Sequence, residues 1–272
     1  MTGSQNDSAA DAAILVERRG NVALVTINRP DARNAVDASV TDGLGLALDE
    51  ADRDPEVRAI VLTGAGDKAF CAGADLKAIA SGAGLGPTDP DHAKWGFAGV
   101  TQHMISTPLI AAVNGTAFGG GTEIVLSCDL AVAADTASFG LPEVKRGLIA
   151  AAGGAFRLVR ALPPKIGMEL LLTGRPISAA EAKDLGLVNQ VVPQAEVVAA
   201  ALALAEQIAA NAPLAVQASK RLALGIIDGE VPAESVDWQS NIREIAAVFS
   251  SRDAREGPRA FAEKRAPVWR AE

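Results

Sequence analysis

Short apolar runs that recur through the first half of the chain constrain its fold more than any other feature. They occupy residues 21–28, 59–63, 109–113 and 130–133. Runs of this length without polar alternation are typical of strands in a sheet whose two faces are both covered. Residues with helical spacing, such as Val40, Leu44 and Leu48, lie between two of the runs. The alternation of strands with helices predicts an α/β fold.

The second half of the chain is predicted to be mostly helical, with its longest helices at 196–210, 213–227 and 234–250. The predicted organisation is a disordered tail at residues 1–12, a strand–helix core at 13–195 and a helical C-terminal region at 196–272. Residues 1–12 are small and polar, without the basic start and apolar run of a signal peptide. Within the core, a loop is expected at 81–91 and a helix at 92–105.

Charge and composition narrow the functional class. The net charge is −8, and no basic stripe or aromatic–basic interleaving occurs, so we expect no nucleic-acid partner. No apolar run approaches the ~18–20 residues of a membrane span, so no membrane partner is expected either. The two cysteines have no metal-site or disulfide spacing. These features favour a cytoplasmic protein.

Few residues of the chain are suited to nucleophilic or metal chemistry. There are two histidines, and no serine lies in a nucleophile-elbow pattern. Two histidines and two scattered cysteines do not assemble a metal site. Carboxylates and backbone amides are therefore the remaining candidates for catalysis.

Three segments place such groups after predicted strands. They read AFCAGADLK at 69–77, NGTAFGGGTE at 114–123 and SFGLPE at 138–143. Small residues in the first segment let a ligand touch the main chain, and the glycines of the second open a helix whose free N–H groups can bind an anion. Taken singly, the first segment favours a tight turn without a ligand and the third a surface acid at a helix start, while a glycine-rich turn like the second is a weak signal.

In this order and spacing, the three segments resemble the enoyl-CoA hydratase/isomerase (crotonase) superfamily, over a stretch from about Val16 to Trp269. The resemblance implies a crotonase-like spiral of ββα units with a helical C-terminal trimerisation region. It also implies an acyl-CoA thioester as substrate, no separate cofactor, and assembly as a homotrimer or a hexamer made of two trimers. Fatty-acid β-oxidation is the usual metabolic setting.

The resemblance also assigns catalytic roles. The peptide N–H groups of Ala74 and Gly120 match the oxyanion hole that holds the thioester carbonyl. Glu123 and Glu143 match the two family carboxylates. In hydration of a 2-enoyl-CoA, Glu123 would activate water toward C3 and Glu143 would protonate C2.

The matching CoA-binding segment contains Ala72, Gly73, Asp75, Leu76 and Lys77. Asp75 is expected to bond nearby amides as a structural group. Lys77 either lies near the nucleotide part of CoA or is a solvated surface residue. In addition, Lys264 matches a residue that reaches the CoA phosphates of a neighbouring subunit.

Two positions depart from the hydratase pattern. Ala151 replaces a glycine whose N–H helps hold the water, and Phe156 replaces a polar residue. Trp95 and Phe97 are candidates for lining the acyl pocket, with core packing as the alternative. The predicted function is enoyl-CoA hydratase. The alternatives are a double-bond isomerase, which needs only Glu143, a carnitinyl-CoA-type dehydratase, a decarboxylase, a thioester hydrolase, and a non-catalytic acyl-CoA binder.

Overall fold

Two β-sheets form the frame of the fold. The computed structural model describes residues 12–272; apart from Ala12, the predicted tail lies outside the described residues. The strands are β1 Ile14–Arg19, β2 Val22–Ile27, β3 Ala59–Gly64, β4 Ala69–Cys71, β5 Leu109–Val113, β6 Thr116–Phe118, β7 Leu130–Ala134, β8 Ser138–Gly140, β9 Ile177–Ser178 and β10 Gln190–Val192. Six strands form one sheet in the order β1-β2-β3-β5-β7-β10, and four form the other in the order β4-β6-β8-β9.

Helices connect and cover the sheets. They are α1 Ala38–Arg53, α2 Leu76–Ala80, α3 Gly120–Ser127, α4 Gly154–Ala161, α5 Pro164–Thr173, α6 Ala179–Asp184, α7 Val197–Ala209, α8 Pro213–Leu224, α9 Ser235–Phe249 and α10 Arg252–Ala262. Across residues 12–272, no single helix is long and apolar enough to cross a membrane. One pair, Gln194–Ala209 with Pro213–Leu224, meets that test together, but it is bent by 105°.

A repeated unit links the two sheets. The pairs β3–β4, β5–β6 and β7–β8 each contribute their first strand to the six-stranded sheet and their second to the four-stranded sheet. A helical segment follows each pair: α2, α3 and the 3₁₀ helix Glu143–Arg146. The spiral of ββα units that the family resemblance implied is thereby confirmed.

Aliphatic packing holds the spiral together. All residues of β3 and β5 are buried. Helix α1 covers the sheet with Val40, Leu44 and Leu48, all fully buried, and begins at Asp37, whose carboxylate accepts from the N–H of Val40 at 3.1 Å. Helix α7 also packs on β3, β5 and β7, so the first helix after residue 195 covers the same sheet. The domain boundary at residue 195 stays a prediction.

The helix predicted at 92–105 is wrong. The segment instead forms two 3₁₀ helices, Pro90–Trp95 and Phe97–Gly99. Gly96 between them has φ +71°, outside the helical region, and Trp95 is buried against Gly45 of α1. The Trp95 side chain packs against α1, and this tertiary contact outweighs the helical spacing of residues 92–105.

Two buried asparagines fix the chain between the two sheets. The Nδ2 group of Asn114 donates to the carbonyls of Gly64 and Gly66, both at 2.7 Å. The Nδ2 group of Asn34 donates to Ala65 at 3.0 Å and to Ala69 at 2.8 Å. These bonds hold the turn between β3 and β4. They therefore also fix the position of the chain after β4, from residue 72 onward.

Helix α3 approaches β4 so closely that its second residue must be glycine. A Cβ atom at Gly121 would lie 2.0 Å from the carbonyl oxygen of Cys71, whereas one at Gly86 would have nothing within 4 Å. Backbone atoms on β4 cannot yield as a flexible side chain would.

We therefore expect Gly121→Ala to lower the free energy of unfolding by about 2–3 kcal/mol. Gly86→Ala, the control with the same chemical change, should stay within about 0.5 kcal/mol of the parent. Urea denaturation followed by circular dichroism measures both. Equal stability of the two variants would contradict the packing described for α3.

Candidate active site

Two backbone segments meet at the centre of the site. Gly73 follows β4 with φ +88°, and a Cβ atom there would lie 2.9 Å from the carbonyl oxygen of Phe118 and 3.1 Å from the nitrogen of Gly120. Glycine is needed at this position for both its conformation and its lack of a side chain. Because Gly73 has no side chain, the peptide between residues 73 and 74 can lie against the start of α3.

Both segments present N–H groups, at Ala74 and Gly120, that have no acceptor among residues 12–272. The N–H of Val36 donates to the carbonyl of Gly73, and its carbonyl accepts from the N–H of Asp75, each at 2.8 Å. In this parallel bridge the N–H of Ala74 points away from Val36. Gly120 is the first residue of α3, where N–H groups have no intrahelical acceptor and the helix dipole is positive. The two donors are a candidate oxyanion hole.

Glu123 lies one turn along the same helix. Its side chain is only 4% exposed, and its Oε1 atom accepts from the N–H of Ala152 at 2.7 Å and of Gly154 at 2.8 Å. A Cβ atom at Gly154 would lie 2.9 Å from that oxygen, so the glycine allows the approach. Glycine at position 154 therefore allows the buried carboxylate of Glu123 to accept hydrogen bonds from two backbone N–H groups.

Glu143 reaches the site from the other side. It begins the 3₁₀ helix Glu143–Arg146, and its Oε1 atom would lie 2.9 Å from a Cβ atom at Gly119. Among the described residues, its buried Oε2 atom has no hydrogen-bond partner. A buried carboxyl oxygen without a partner is costly in a folded protein, and it marks a place where a ligand can bind.

The surroundings of the two carboxyls raise both pKa values. Burial raises the pKa of Glu123 to about 8, with the Glu143 charge as the second cause, while the N–H groups of Gly154 and Ala152 and the charge of Arg157 oppose the rise. Burial raises the pKa of Glu143 to about 7. Near neutral pH the pair therefore holds about one proton, which suits one group to act as acid and the other as base.

The predicted CoA-binding segment divides into structural and exposed residues. The Asp75 carboxylate caps α2 by accepting from Lys77 and Ala78, and it pairs with Arg29 at 2.9 Å. Asp75 therefore has the structural role that the sequence analysis expected, since its carboxylate bonds nearby backbone amides. Ala72, Leu76 and Lys77 are exposed beside it, where a ligand has access.

Lys264 lies in a different part of the chain. It is exposed and follows α10, a helix that packs against the Glu143–Arg146 turn of the same chain. Its predicted contact with a neighbouring subunit stays a prediction.

Of the two aromatic candidates for the acyl pocket, Phe97 lies at the site. A Cβ atom at Gly120 would lie 2.4 Å from the Phe97 ring, so this ring covers the start of α3. Trp95 instead stacks between His92 and His103, with ring centroids 4.0 and 4.6 Å apart. Trp95 therefore belongs to the packing on α1.

Helix α9 contributes residues that the sequence analysis missed. The Nδ2 group of Asn241 donates to the carbonyl of Ala151 at 2.7 Å, and the Trp238 ring lies against Gly153. Both contacts fall on the segment that supplies the N–H donors to Glu123. No local sequence pattern marks either residue, because the contacts join positions about 90 residues apart.

The site combines two peptide donors with two carboxyls that share about one proton. Donors of this kind stabilise negative charge on a carbonyl oxygen, and the carboxyls can move a proton to or from the adjacent carbon. Within residues 12–272, no group of three or more His, Cys, Asp or Glu side chains is arranged to hold a metal.

Comparison with known proteins agrees with this chemistry. Residues 17–272 match the family model described as enoyl-CoA hydratase/isomerase. Enoyl-CoA hydratase EchA19 of Mycobacterium tuberculosis is 45% identical over 268 residues, covering 96% of this chain and 97% of the relative. Carnitinyl-CoA dehydratase of Salmonella typhi is 44% identical over 257 residues, covering 93% and 96%.

Solved structures extend the similarity to the fold. The crystal structure of carnitinyl-CoA hydratase from Mycobacterium avium is 61% identical, with a TM-score of 0.94, and the match covers 96% of this chain and 99% of that one. Enoyl-CoA hydratase from M. tuberculosis H37Rv is 43% identical, with a TM-score of 0.73, over 96% and 100%. On sequence and fold together, the chain belongs to the enoyl-CoA hydratase/isomerase family.

Proposed function

We propose that the chain is an enoyl-CoA hydratase, which adds water to a 2-enoyl-CoA to give a 3-hydroxyacyl-CoA, or catalyses the reverse dehydration. The observation that carries the proposal is the meeting of Glu123 and Glu143 beside the free N–H groups at Ala74 and Gly120. A hydratase needs an acid, a base and a site for negative charge, and this site offers all three.

The peptide N–H groups of Ala74 and Gly120 bind the thioester oxygen. When water attacks C3, the electrons of the double bond move toward that oxygen and an enolate-like state forms. Donors already in place favour this state over the ground state, and removal of one such donor typically costs about 10²–10³ in rate.

The two glutamates complete the addition. Glu123 takes a proton from water as the oxygen bonds to C3, and Glu143 gives its proton to C2 as the carbonyl re-forms. The productive arrangement has Glu123 ionised and Glu143 protonated. Burial raises both pKa values toward neutrality, to about 8 for Glu123 and about 7 for Glu143. The single proton therefore belongs to the pair, and the productive arrangement is one of its two placements.

Binding of the CoA part would use the exposed edge of the site. The main chain at Ala72 and Gly73 and the side chains of Asp75, Leu76 and Lys77 would form this edge, because they adjoin Ala74 in the chain. Further proposals follow from the family: Lys264 binds the CoA phosphates of a neighbouring copy, and the assembly is a trimer or a pair of trimers. The protein would act in the cytoplasm, in fatty-acid breakdown, with no cofactor besides the acyl-CoA.

Carnitinyl-CoA dehydration is a second candidate function. It requires the same acid, base and oxyanion donors, so the geometry accommodates it equally. The observation that favours it is the 61% identity to a structure named carnitinyl-CoA hydratase. The methyl group of Ala151, where the hydratase pattern has glycine, would also leave less space for the attacking water.

The hydratase proposal predicts incorporation of solvent oxygen. The protein should convert crotonyl-CoA, or a longer 2-enoyl-CoA, to a product that carries ¹⁸O from labelled water, as measured by mass spectrometry. Glu123→Gln and Glu143→Gln should each reduce kcat at least ~100-fold, because each removes one proton-transfer group. Glu206→Gln, at an exposed position on α7, is the matched control and should leave kcat unchanged.

Three other results are informative. A product whose double bond has moved without ¹⁸O would indicate an isomerase. Turnover of carnitinyl-CoA alone would favour the second candidate. Binding of acyl-CoA without conversion of any of these substrates would contradict an enzymatic role.

The shared proton predicts a bell-shaped dependence of kcat/KM on pH. Activity should fall below pH about 7, where the base gains a proton, and above pH about 8, where the acid loses its proton. Initial rates with crotonyl-CoA between pH 5 and 10 at constant ionic strength measure the profile. A profile that is flat from pH 6 to 9 would exclude a pair of carboxyls with raised pKa values.

A further inference from the structure

A buried arginine lies behind Glu123. Arg157 is on α4, three residues after Gly154, and its side chain is 10% exposed. Its guanidinium group donates from Nε to Oε1 of Glu234 at 3.1 Å and from Nη2 to Oε2 at 2.6 Å. This two-bond geometry holds the arginine in one orientation.

The remaining donors of Arg157 reach the helix that carries Glu123. Its Nη1 atom donates to the carbonyl of Thr101 and to Oγ of Ser127, each at 2.8 Å. The Ser127 hydroxyl in turn donates to the backbone carbonyl of Glu123 at 2.8 Å. Arg157 is thus tied to the backbone of Glu123 through Ser127, while its own helix begins with a peptide that binds the Glu123 carboxylate.

Glu234 comes from the C-terminal region and is itself held in place. It ends the 3₁₀ helix Pro232–Glu234, just before α9, and its Oε2 atom accepts from Nε1 of Trp238 at 3.2 Å. One turn later, Asn241 bonds to Ala151. The start of α9 therefore braces both Arg157 and the loop that donates to Glu123.

Stability alone is a weak explanation for the buried Arg157–Glu234 ion pair. A buried ion pair often contributes little to folding, because desolvation of both charges offsets their attraction. The positive charge of Arg157 does act on Glu123: it lowers the pKa of that carboxyl against the effects of burial and of Glu143. Glu234 bonds Arg157 through both carboxylate oxygens, and a guanidinium paired with a negative charge attracts a nearby carboxylate less than an unpaired one.

We infer that the Arg157–Glu234 pair is a positioning unit for Glu123, which fixes the two segments that hold the carboxylate and sets the net charge that it senses. The inference rests on the proposed role of Glu123 as base, and it assigns part of the active site to the C-terminal helices of the same chain. Among the described residues, Arg157 and, across the site, Glu143 are the charged side chains that act directly on Glu123; Glu234 acts through its pairing with Arg157.

The inference predicts that loss of the two charges of the pair shifts the pKa of Glu123 in opposite directions. Loss of the positive charge in Arg157→Met should raise the pKa of Glu123, because ionised Glu123 loses a favourable neighbour. Loss of the negative charge in Glu234→Gln should lower it, because the field of Arg157 is no longer cancelled. Each shift should be about half a unit or more. Arg157→Lys keeps the charge and should stay near the parent.

The measurement is an infrared titration of the protonated Glu123 carboxyl in a Glu143→Gln background, where Glu123 titrates without its coupled neighbour. Subtraction of the Glu123→Gln, Glu143→Gln double variant isolates the band. This readout does not require turnover, so failure of the inference is distinguishable from failure of the proposed function.

Arg160 and Asp237 provide matched controls. They form a 2.6 Å ion pair between α4 and α9, beside the Arg157–Glu234 pair in sequence, but Arg160 is 53% exposed. Arg160→Met and Asp237→Asn change the same charges and should leave the pKa of Glu123 unchanged, because water screens an exposed pair.

Shifts of opposite sign at Arg157 and Glu234, absent in the controls, are the expected result. Shifts of the same sign, or no shift in either variant, would overturn the inference and leave the pair a purely structural contact. If thermal unfolding shows that Arg157→Met does not fold, Glu234→Gln decides alone: a lowered pKa supports the inference, and an unchanged or raised pKa rejects it.

Discussion

The contact between the Gly73 peptide and the start of α3 is the constraint on which the rest of the site depends. A side chain at Gly73 would meet Phe118 and Gly120 at about 3 Å; without one, the two chain segments can lie side by side. That contact places the N–H groups of Ala74 and Gly120 together and sets Glu123 one helical turn away. The two buried asparagines hold the β3–β4 turn, so the approach is built into the frame of the two sheets.

Electrostatic interactions then determine the protonation of the two carboxyls at the site. Burial favours protonated carboxyls, whereas the two peptide donors and Arg157 favour an ionised Glu123. The opposing effects leave a pair that shares about one proton near neutral pH. The C-terminal helices take part in this balance, because Glu234 and Asn241 act on the segment around Glu123. A region whose predicted role was assembly thereby also supports the carboxylate of Glu123.

The sequence predicts the long, periodic elements well and the contact-dependent ones poorly. The helices predicted at 196–210, 213–227 and 234–250 correspond to α7, α8 and α9, with ends that differ by at most three residues. Strands β4, β6 and β8 have three residues each, too few for a recognisable pattern, so the second sheet was not predicted from periodicity. The three motifs identified the residues that the fold brings together at the site, since each is a local turn. Arg157, Glu234 and Asn241 went unnoticed because their partners are distant in sequence.

The most direct test of the central claim is a crystal structure with a bound saturated acyl-CoA, which cannot be hydrated. The account predicts that the thioester oxygen lies within about 3 Å of the backbone nitrogens of Ala74 and Gly120, with C2 and C3 facing Glu143 and Glu123. A thioester oxygen bound elsewhere, or an acyl chain that does not pass between the two carboxyls, would contradict it.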